Sequence, residues 1–510
     1  MFMDAIKETL NEDMNYSVTE NGALGYHTTG KALLDLNFAV ASLRSASEQE
    51  IINKFMKAFC EDKILAMRWL FFGRDREKGL GERRLFRVVV SDLAKSNPEM
   101  ILPVIKLFSE YGRWDDMWCL LDIPAAAEVV YDIVDKQLTE DLKNMNEGKP
   151  ISLLGKWMPS INTSSNQTKK YAKQLRKALG LTEQEYRKVL SKFRKYLDVV
   201  EVKMSAKNWS EINYETVPSR ANLIYNNAFL RNDEERRRGY LNRLEKGEVK
   251  INASVLYPHD IVHKYTEQGF WSNKVKPKDT TLEELWKALP DTVQGCGNTI
   301  VVADGSGSMT VRVGNTNVSA LEVANALAIY FAEHSSGQFK DKYITFSDNP
   351  QFVDFSKCNS LHDKIQTALS HNEMASTNIE AVFDLILDAA VKNKMSQDDI
   401  PQNILIISDM EFNSAQSYYN PLTQRLFKII RQRYKAAGYK LPRLVFWNVN
   451  SRTGTIPVKE NKLGVALVSG FSTNICKMVL SGELDPYKCL LETINDERYD
   501  AVESAIKEAV

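Results

Sequence analysis

Five oxygen-bearing side chains in the second half of the chain have types and spacings that suit a hard cation. Residues 304–308 read Asp-Gly-Ser-Gly-Ser, so Asp304, Ser306 and Ser308 alternate with glycines that permit a tight turn. Thr377 precedes a helical pattern that begins near residue 379, and Asp409 directly follows an apolar run. Carboxylate and hydroxyl oxygens suit Mg²⁺, or a similar divalent ion such as Mn²⁺ or Ca²⁺. The sequence therefore predicts a metal site at these five residues.

The elements that must bring these residues together are short strands that alternate with helices after about residue 293. Five apolar runs have strand length and are rich in β-branched or aromatic residues: 298–303, 343–346, 403–408, 444–447 and 465–468. Strands buried on both faces and separated by helices indicate a parallel, doubly wound sheet. Ligands of such a sheet bind beyond the carboxyl ends of its strands. We therefore expect the segments that carry the predicted metal ligands to meet at that edge.

The chain before about residue 290 reads as one helix after another. Apolar residues recur at helical spacing, and Gly and Pro lie mainly between these runs. This pattern predicts a HEAT-like solenoid, a ring or a large bundle, although no fixed repeat period is present. We predict an α + α/β protein with a helical domain at 1–290, a doubly wound domain at 293–484 and a C-terminal helical tail at 485–510.

The predicted metal site resembles the metal-ion-dependent adhesion site of von Willebrand factor A domains. A DxSxS segment, a later Thr and an Asp after a hydrophobic strand occur in the same order in that family. The resemblance implies that residues 293–484 form an A domain. It also implies that hydroxyls contact the metal directly, that carboxylates act through water, and that an acidic oxygen of a partner completes the coordination. A helix N-cap loop explains a single Ser or Asp, but not three converging loops.

The layout of the whole chain resembles two further families. A helical part followed by an A domain is the architecture of the Ro autoantigen (TROVE-module) family. Several motifs resemble the domain of unknown function 2828, namely those at residues 72–83, 111–116, 156–160, 186–190 and 217–221. The resemblance to Ro implies, by analogy of architecture, a ribonucleoprotein whose helical part binds small structured RNA or RNA ends.

Charge is balanced overall but not locally. The 66 basic and 66 acidic residues exclude a chain coated in positive charge, yet residues 151–200 hold 11 Lys and Arg against 3 Asp and Glu. The basic residues predicted to contact RNA phosphates are Arg74, Arg76, Lys78, Arg83, Lys156, Lys169, Lys170, Lys173, Arg176, Arg187, Lys188 and Arg194. Trp157, Tyr171 and Tyr186 lie among them as candidates for stacking on unpaired bases. The alternative is a solvated basic helix face with core aromatics.

Other functional classes have little support in the sequence. There is no phosphate-binding GxxxxGK[ST] loop and no GxSxG elbow, and His259 and His263 lack the Glu of a zinc-binding HExxH motif. We therefore predict a protein that is not an enzyme. Six scattered cysteines, the lack of a membrane-length apolar run and an acidic N-terminus favour the cytoplasm. A metal-dependent protein-interaction scaffold without nucleic acid, or a structural component of a larger assembly, remains an alternative.

Overall fold

Two compact units, interleaved in sequence, make up the chain. The computed structural model describes residues 14–22, 24–266, 274–293, 298–346, 349–372, 378–412, 423–457, 465–473 and 485–509. The first unit, here called the sheet unit, comprises residues 1–62 and 256–493. The second, the helical unit, comprises residues 63–255 and 494–510. These units differ from the predicted domains: the described parts of residues 14–62 and 256–290 belong to the sheet unit, and residues 494–509 belong to the helical unit.

The sheet unit contains a small hairpin and a larger sheet. Its strands, in chain order, are β1 (Tyr16–Val18), β2 (Leu24–Tyr26), β3 (Thr299–Asp304), β4 (Lys342–Phe346), β5 (Phe352–Asp354), β6 (Asn403–Ser408), β7 (Arg443–Asn448) and β8 (Val465–Ser469). β1 and β2 form the antiparallel hairpin. The larger sheet has the order β5-β4-β3-β6-β7-β8, in which only β4 and β5 are antiparallel. The five predicted strands are therefore confirmed as parallel, whereas β5, which was not predicted, makes the sheet mixed by adding an antiparallel edge.

The order of the strands creates a switch point between β3 and β6. From β3 the chain proceeds to β4 and β5 on one side, and then returns to β6, β7 and β8 on the other. The loops that leave β3 and β6 therefore diverge and open a crevice at the carboxyl edge. The register pairs Ala303 with Ile407, so that Asp304 and Ser408 end the two strands at the same level.

Helices cover both faces of the larger sheet. The helices of the sheet unit are α1 (Ala32–Leu43), α2 (Glu48–Glu61), α14 (Pro258–Thr266), α15 (Thr280–Lys287), α16 (Ala320–His334), α17 (Leu361–Ser370), α18 (Ile379–Lys392), α19 (Thr423–Ala436) and most of α20 (Pro486–Ile494). Val302 and Ile406 face a core shared with Phe383 of α18. On the opposite face the Trp447 ring packs on Phe331 of α16, with 5.5 Å between the ring centroids. Burial on both faces explains why the strands read as continuous apolar runs.

The helical unit consists of short helices and one longer helix of 23 residues. Its helices are α3 (Lys63–Arg74), α4 (Arg83–Ser96), α5 (Pro98–Ile101), α6 (Phe108–Tyr111), α7 (Pro124–Asn146), α8 (Leu154–Trp157), α9 (Asn166–Ala178), α10 (Glu183–Tyr196), α11 (Val200–Ser205), α12 (Ser219–Asn232), α13 (Glu234–Glu245) and α21 (Asp500–Lys507). The α + α/β class is thus confirmed, whereas the HEAT-like repeat and the von Willebrand A fold stay predictions. Among the described residues, no helix combines the length and the apolar character needed to cross a membrane.

An ion-pair network joins two of the sequence motifs of the helical unit. The Asp116 carboxylate is fully buried and accepts hydrogen bonds from Arg74 Nε and Arg87 Nε, both at 2.8 Å. The backbone N–H of Arg113 donates to the same carboxylate at 2.9 Å. A Cβ on Gly112 would lie 2.4 Å from Asp116 Oδ2, so that only glycine fits beside this network. The motifs at residues 72–83 and 111–116 therefore serve packing of the unit.

The C-terminal residues are held to the helical unit by a second buried ion pair. Arg498 donates from Nε and Nη2 to the two oxygens of Asp75, at 2.5 and 3.0 Å. Tyr499 adds a hydrogen bond to the same carboxylate, and Tyr111 donates to the carbonyl oxygen of Arg498 at 2.5 Å. Arg68, which is buried, donates to the carbonyl oxygen of Ile494 at 2.9 Å. Residues 494–509 are thus a structural part of this unit.

Arg498→Ala should lower the free energy of unfolding by about 3 kcal/mol, because it leaves the Asp75 carboxylate buried without its charged partner. Urea unfolding followed by tryptophan fluorescence measures the change. Lys507→Ala, at a lysine whose side chain is 68% exposed, is the control and should change stability by less than about 0.5 kcal/mol. A loss below about 1 kcal/mol for Arg498→Ala would contradict a structural role for this pair.

Candidate metal-binding site at the carboxyl edge of the sheet

Asp304 lies at the switch point and is buried. It is the last residue of β3, and 1% of its surface is exposed. Ser408, the last residue of β6, donates from its hydroxyl to Asp304 Oδ2 at 2.6 Å. The backbone N–H of Ser306 donates to Asp304 Oδ1 at 2.9 Å. Burial raises the pKa of Asp304, although these hydrogen bonds lower it.

The two serines of the DxSxS segment meet beside this carboxylate. Gly307–Thr310 form a single 3-10 turn after β3, which brings Ser306 Oγ within 2.9 Å of Ser308 Oγ. Ser306 is buried, whereas Ser308 is partly exposed. Two hydroxyls and the carboxylate of Asp304 therefore share one corner of the sheet edge.

Asp409 supplies a second buried carboxylate to this corner. It follows β6, and the backbone N–H of Glu411 donates to its Oδ1 at 3.2 Å. Met410, between them, has a φ of 64°, the left-handed conformation that turns the chain sharply after the strand. Burial, and next the nearby Asp304 carboxylate, raise the pKa of Asp409 to about 7, although Ser308 and Arg452 oppose the shift. The two carboxylates are thus close enough to repel each other.

Arg452 borders the site on the loop after β7. Its Nη1 donates to Asp409 Oδ2 at 3.3 Å and to the carbonyl oxygen of Ser308 at 3.2 Å. Its Nε donates to Glu20 Oε2 at 2.7 Å, and its Nη2 donates to the same oxygen. One end of the guanidinium therefore faces the oxygen cluster, and the other holds a carboxylate from the β1–β2 hairpin.

Glu411 fixes the loops around the site. Its carboxylate is fully buried and accepts hydrogen bonds from the backbone N–H groups of Glu20, Arg452 and Thr453, at 2.8, 2.8 and 2.9 Å. The hairpin is also anchored by Thr19, whose hydroxyl donates to the carbonyl oxygen of Phe412 at 2.7 Å. One satisfied carboxylate thus ties the hairpin, the end of β6 and the loop after β7 together.

The side chains of this corner suit a hard divalent cation. Asp304, Ser306, Ser308 and Asp409 offer oxygen atoms alone, which is the donor chemistry that Mg²⁺ and Mn²⁺ favour. Burial raises the pKa of both carboxylates, the nearby Asp304 raises that of Asp409 further, and a bound cation would balance this negative charge. In the described ranges no group of three or more His, Cys, Asp and Glu side chains is placed to bind a metal, so the serines are essential to the fit.

The structure describes four of the five predicted metal ligands. Two residues that lie beside them were not predicted from the sequence. Asp304, Ser306, Ser308 and Asp409 come together, whereas Thr377 lies outside the described residues. The reading of the sequence missed Ser408 and Arg452. Ser408 is the last residue of the strand that precedes Asp409, so its position in the sequence could have predicted that it lies at the site. Arg452 follows a third parallel strand, but only the folded loop aims its guanidinium at the site.

Several of the predicted RNA contacts are already used inside the helical unit. Arg74 is buried in the Asp116 ion pair, and Arg194 donates to Ser160 Oγ at 2.8 Å and to two backbone carbonyl oxygens. Arg176 donates to the carbonyl oxygen of Leu181 at 2.8 Å. Lys170 pairs with Asp122 at 2.6 Å, and the 50% exposed Arg83 lies 3.8 Å from Asp115. Arg74 and Arg194 in particular are structural.

The aromatic residues predicted to stack on bases also include both buried and partly exposed side chains. Tyr186 is fully buried and donates to the carbonyl oxygen of Pro159 at 2.9 Å, so it cannot stack on a base. Trp157 is partly exposed, with the Arg113 guanidinium 4.3 Å from its ring centroid and the Lys156 ammonium at 5.6 Å. Tyr171 is partly exposed on α9. Two of the three rings thus reach the surface.

The remaining predicted RNA contacts lie at the surface. Lys169 and Lys173 are exposed on α9, and Arg187 and Lys188 are exposed on α10. Lys78 is exposed and Arg76 partly exposed in the segment before α4. Lys177, which lies four residues after Lys173, extends the row on α9.

Comparison with known proteins shows relatives whose functions are unassigned. Residues 127–299 match the family described as "Domain of unknown function (DUF2828)", which confirms the resemblance to that family, and residues 298–508 match "Domain of unknown function (DUF7788)". The uncharacterized protein L728 of Acanthamoeba polyphaga mimivirus is 30% identical over 521 residues, covering 94% of this chain and 87% of that protein.

A comparison of folds returns the Ro protein (RSR) of Deinococcus radiodurans. Its crystal structure aligns with a TM-score of 0.38 and 13% identity, covering 87% of this chain and 93% of that chain. A TM-score this low assigns neither a fold nor a function, so the resemblance to Ro stays one of layout.

The contribution of Asp409 to the free energy of unfolding of the metal-free chain should fall as pH rises from about 4 to about 8, because folding raises the pKa of this carboxyl from its ordinary value of 3.8 to about 7. Because the folded state binds this proton more tightly, the contribution to stability is fully present at pH values below the unfolded-state pKa. It is lost as pH rises through the folded-state pKa. Asp409→Asn should make the protein more stable than wild type at pH 8, on the order of 2 kcal/mol.

Urea unfolding in the presence of a chelator, at a series of pH values, measures this difference. Asp388→Asn is the matched control, because the Asp388 side chain is 69% exposed. Parallel pH profiles for wild type and Asp409→Asn would contradict the raised pKa.

Proposed function

We propose that this chain, which belongs to the same family as the uncharacterized protein L728 of Acanthamoeba polyphaga mimivirus, is a metal-dependent binding protein. Its sheet unit holds a divalent cation at Asp304, Ser306, Ser308 and Asp409, and the cation binds an acidic oxygen of a partner. The observation that carries the proposal is the meeting of two buried carboxylates and two hydroxyls at the switch point of a doubly wound sheet. The resemblance of the motif to von Willebrand A domains supports the same function.

The arrangement favours binding over catalysis. A bound cation supplies a positive charge that an acidic group can share, while the side chains of this chain hold and orient it. Ser408 keeps the Asp304 carboxylate in place through its hydrogen bond, and Glu411 keeps the surrounding loops in place. A rigid, preorganised set of oxygens suits reversible binding of a partner.

Asp304→Asn should abolish measurable binding of Mn²⁺ or Mg²⁺ in isothermal titration calorimetry, because it removes a buried charged ligand. Ser408→Ala should weaken the metal about 10- to 100-fold, since the serine orients that ligand from outside the coordination shell. Asp398→Asn, at an exposed aspartate, is the control and should bind as wild type does. Wild-type protein that binds neither ion at pH 8 would refute the proposed function.

A second candidate function, RNA binding by the helical unit, rests on the exposed lysines of α9. Lys169, Lys173 and Lys177 lie at four-residue spacing, which places them on one face of the helix. All three are exposed, and within the described part of the chain none of them forms an ion pair. Arg187 and Lys188 add exposed charge on α10. A row of unpaired cations is the arrangement that contacts a phosphate backbone.

Replacing Lys169, Lys173 and Lys177 together with Gln should weaken binding of single-stranded RNA and lower the slope of log K against log salt concentration by about 2. Electrophoretic shift across a series of salt concentrations measures both effects. The matched control replaces Lys136, Lys143 and Lys149, which are also exposed in the helical unit, and should retain the wild-type slope. Wild-type protein that binds no RNA at low salt would exclude this function.

A further inference from the structure

Arg452 stands between the oxygen cluster and an acidic side chain of the same chain. Its Nη1 reaches Asp409 and the carbonyl oxygen of Ser308, so this end of the guanidinium lies against the candidate metal site. Its Nε and Nη2 both donate to one oxygen of Glu20. The guanidinium therefore presents an anion-binding edge directly beside the site, and a carboxylate already occupies that edge.

The position of Arg452 is fixed by its backbone. The backbone N–H of Arg452 donates to Glu411 Oε1 at 2.8 Å, and that of Ser451 donates to Asn448 Oδ1 at 2.8 Å. The Arg452 side chain is only 28% exposed. A guanidinium held on an anchored loop is preorganised to bind a carboxylate, which costs less than ordering a free side chain.

The Glu20 side chain, in contrast, can move away from Arg452 without a change in the position of its own backbone. It is 57% exposed, and an ion pair that is open to water contributes little to stability. The backbone N–H of Glu20 is held separately by Glu411 Oε2 at 2.8 Å. Another carboxylate can therefore replace that of Glu20 while the hairpin remains in place.

We propose that Arg452 is a ligand-recognising residue of the metal site, and that Glu20 is an internal carboxylate that occupies it until an acidic segment of a partner protein displaces it. This inference rests on the proposed function. The partner presents two neighbouring carboxylates, of which one reaches the cation and the other reaches Arg452. Glu20 lowers the affinity for this partner by competing for the guanidinium.

The occupant observed in the structure identifies the chemistry of the partner. Glu20 presents its carboxylate from a turn between two short strands, and Gly22 in that turn has a φ of 87°. A carboxylate carried by a protein loop thus fits beside the site in the observed conformation. We therefore infer an acidic protein segment as the ligand, in preference to a nucleic acid phosphate.

A fluorescent hexaglutamate peptide is the probe, and its anisotropy is measured with Mg²⁺ and with a chelator. Glu20→Gln should tighten peptide binding about two- to fivefold in Mg²⁺, the range expected for removing an exposed ion pair. Arg452→Gln should weaken it, and the double variant should bind as Arg452→Gln alone does. Glu380→Gln is the matched control, because Glu380 pairs with Arg433 in the same unit at 2.9 Å, and it should leave the affinity unchanged.

Calorimetry with Mn²⁺ alone separates this inference from the proposed function. Wild-type protein that binds no Mn²⁺ would refute the metal site itself. Metal binding with no peptide binding, or with equal peptide affinity in wild type, Glu20→Gln and Arg452→Gln, would overturn the role of Arg452 and leave the metal site standing. A gain of affinity in Glu20→Gln for oligouridylate, with none for the peptide, would overturn the acidic protein ligand.

Discussion

The hydrogen bond from Ser408 to Asp304 joins the ends of two parallel strands at the point where the chain reverses its direction across the sheet. The candidate site depends on it, because Asp304 is buried and a buried carboxylate must be held by donors or by a positive charge. Ser306 provides a further donor through its backbone. The pKa of Asp304 is still raised, so these donors only partly replace the water that the carboxylate loses.

Buried acidic residues at this edge serve two different purposes. Glu411 accepts hydrogen bonds from three backbone N–H groups of two segments, the hairpin and the loop after β7, and joins both to the end of β6. Within the described residues, Asp409 accepts a backbone hydrogen bond from Glu411, lies near the Ser308 hydroxyl and the Arg452 guanidinium, and is close to the negative charge of Asp304. A carboxylate with many donors stabilises a fold, whereas two carboxylates with few donors are suited to a cation.

The charged residues of the helical unit likewise fall into two groups, those in buried ion pairs and those exposed at the surface. Asp116, Arg74 and Arg87 form a buried network, and Asp75 pairs with Arg498 across most of the length of the sequence. Arg74, Asp75 and Asp116 belong to the motifs at residues 72–83 and 111–116, yet their charges are used in contacts within the unit. Among the described residues, Lys169, Lys173 and Lys177 of α9 belong to no such network, because they lie on the solvent side of an amphipathic helix.

The sequence by itself determined the class of the fold, its parallel strands and the position of four oxygen-bearing side chains at one edge, because strands buried on both faces read as apolar runs and their carboxyl ends meet. It did not determine how the chain divides into units, since residues 14–62 and 494–509 pack with partners far away in sequence. Only the tertiary structure decided that Arg74 is buried and that Arg452 and Glu20 meet beside Asp409. Local sequence patterns report which side chains face an interior, but contacts between distant loops depend on how whole elements pack.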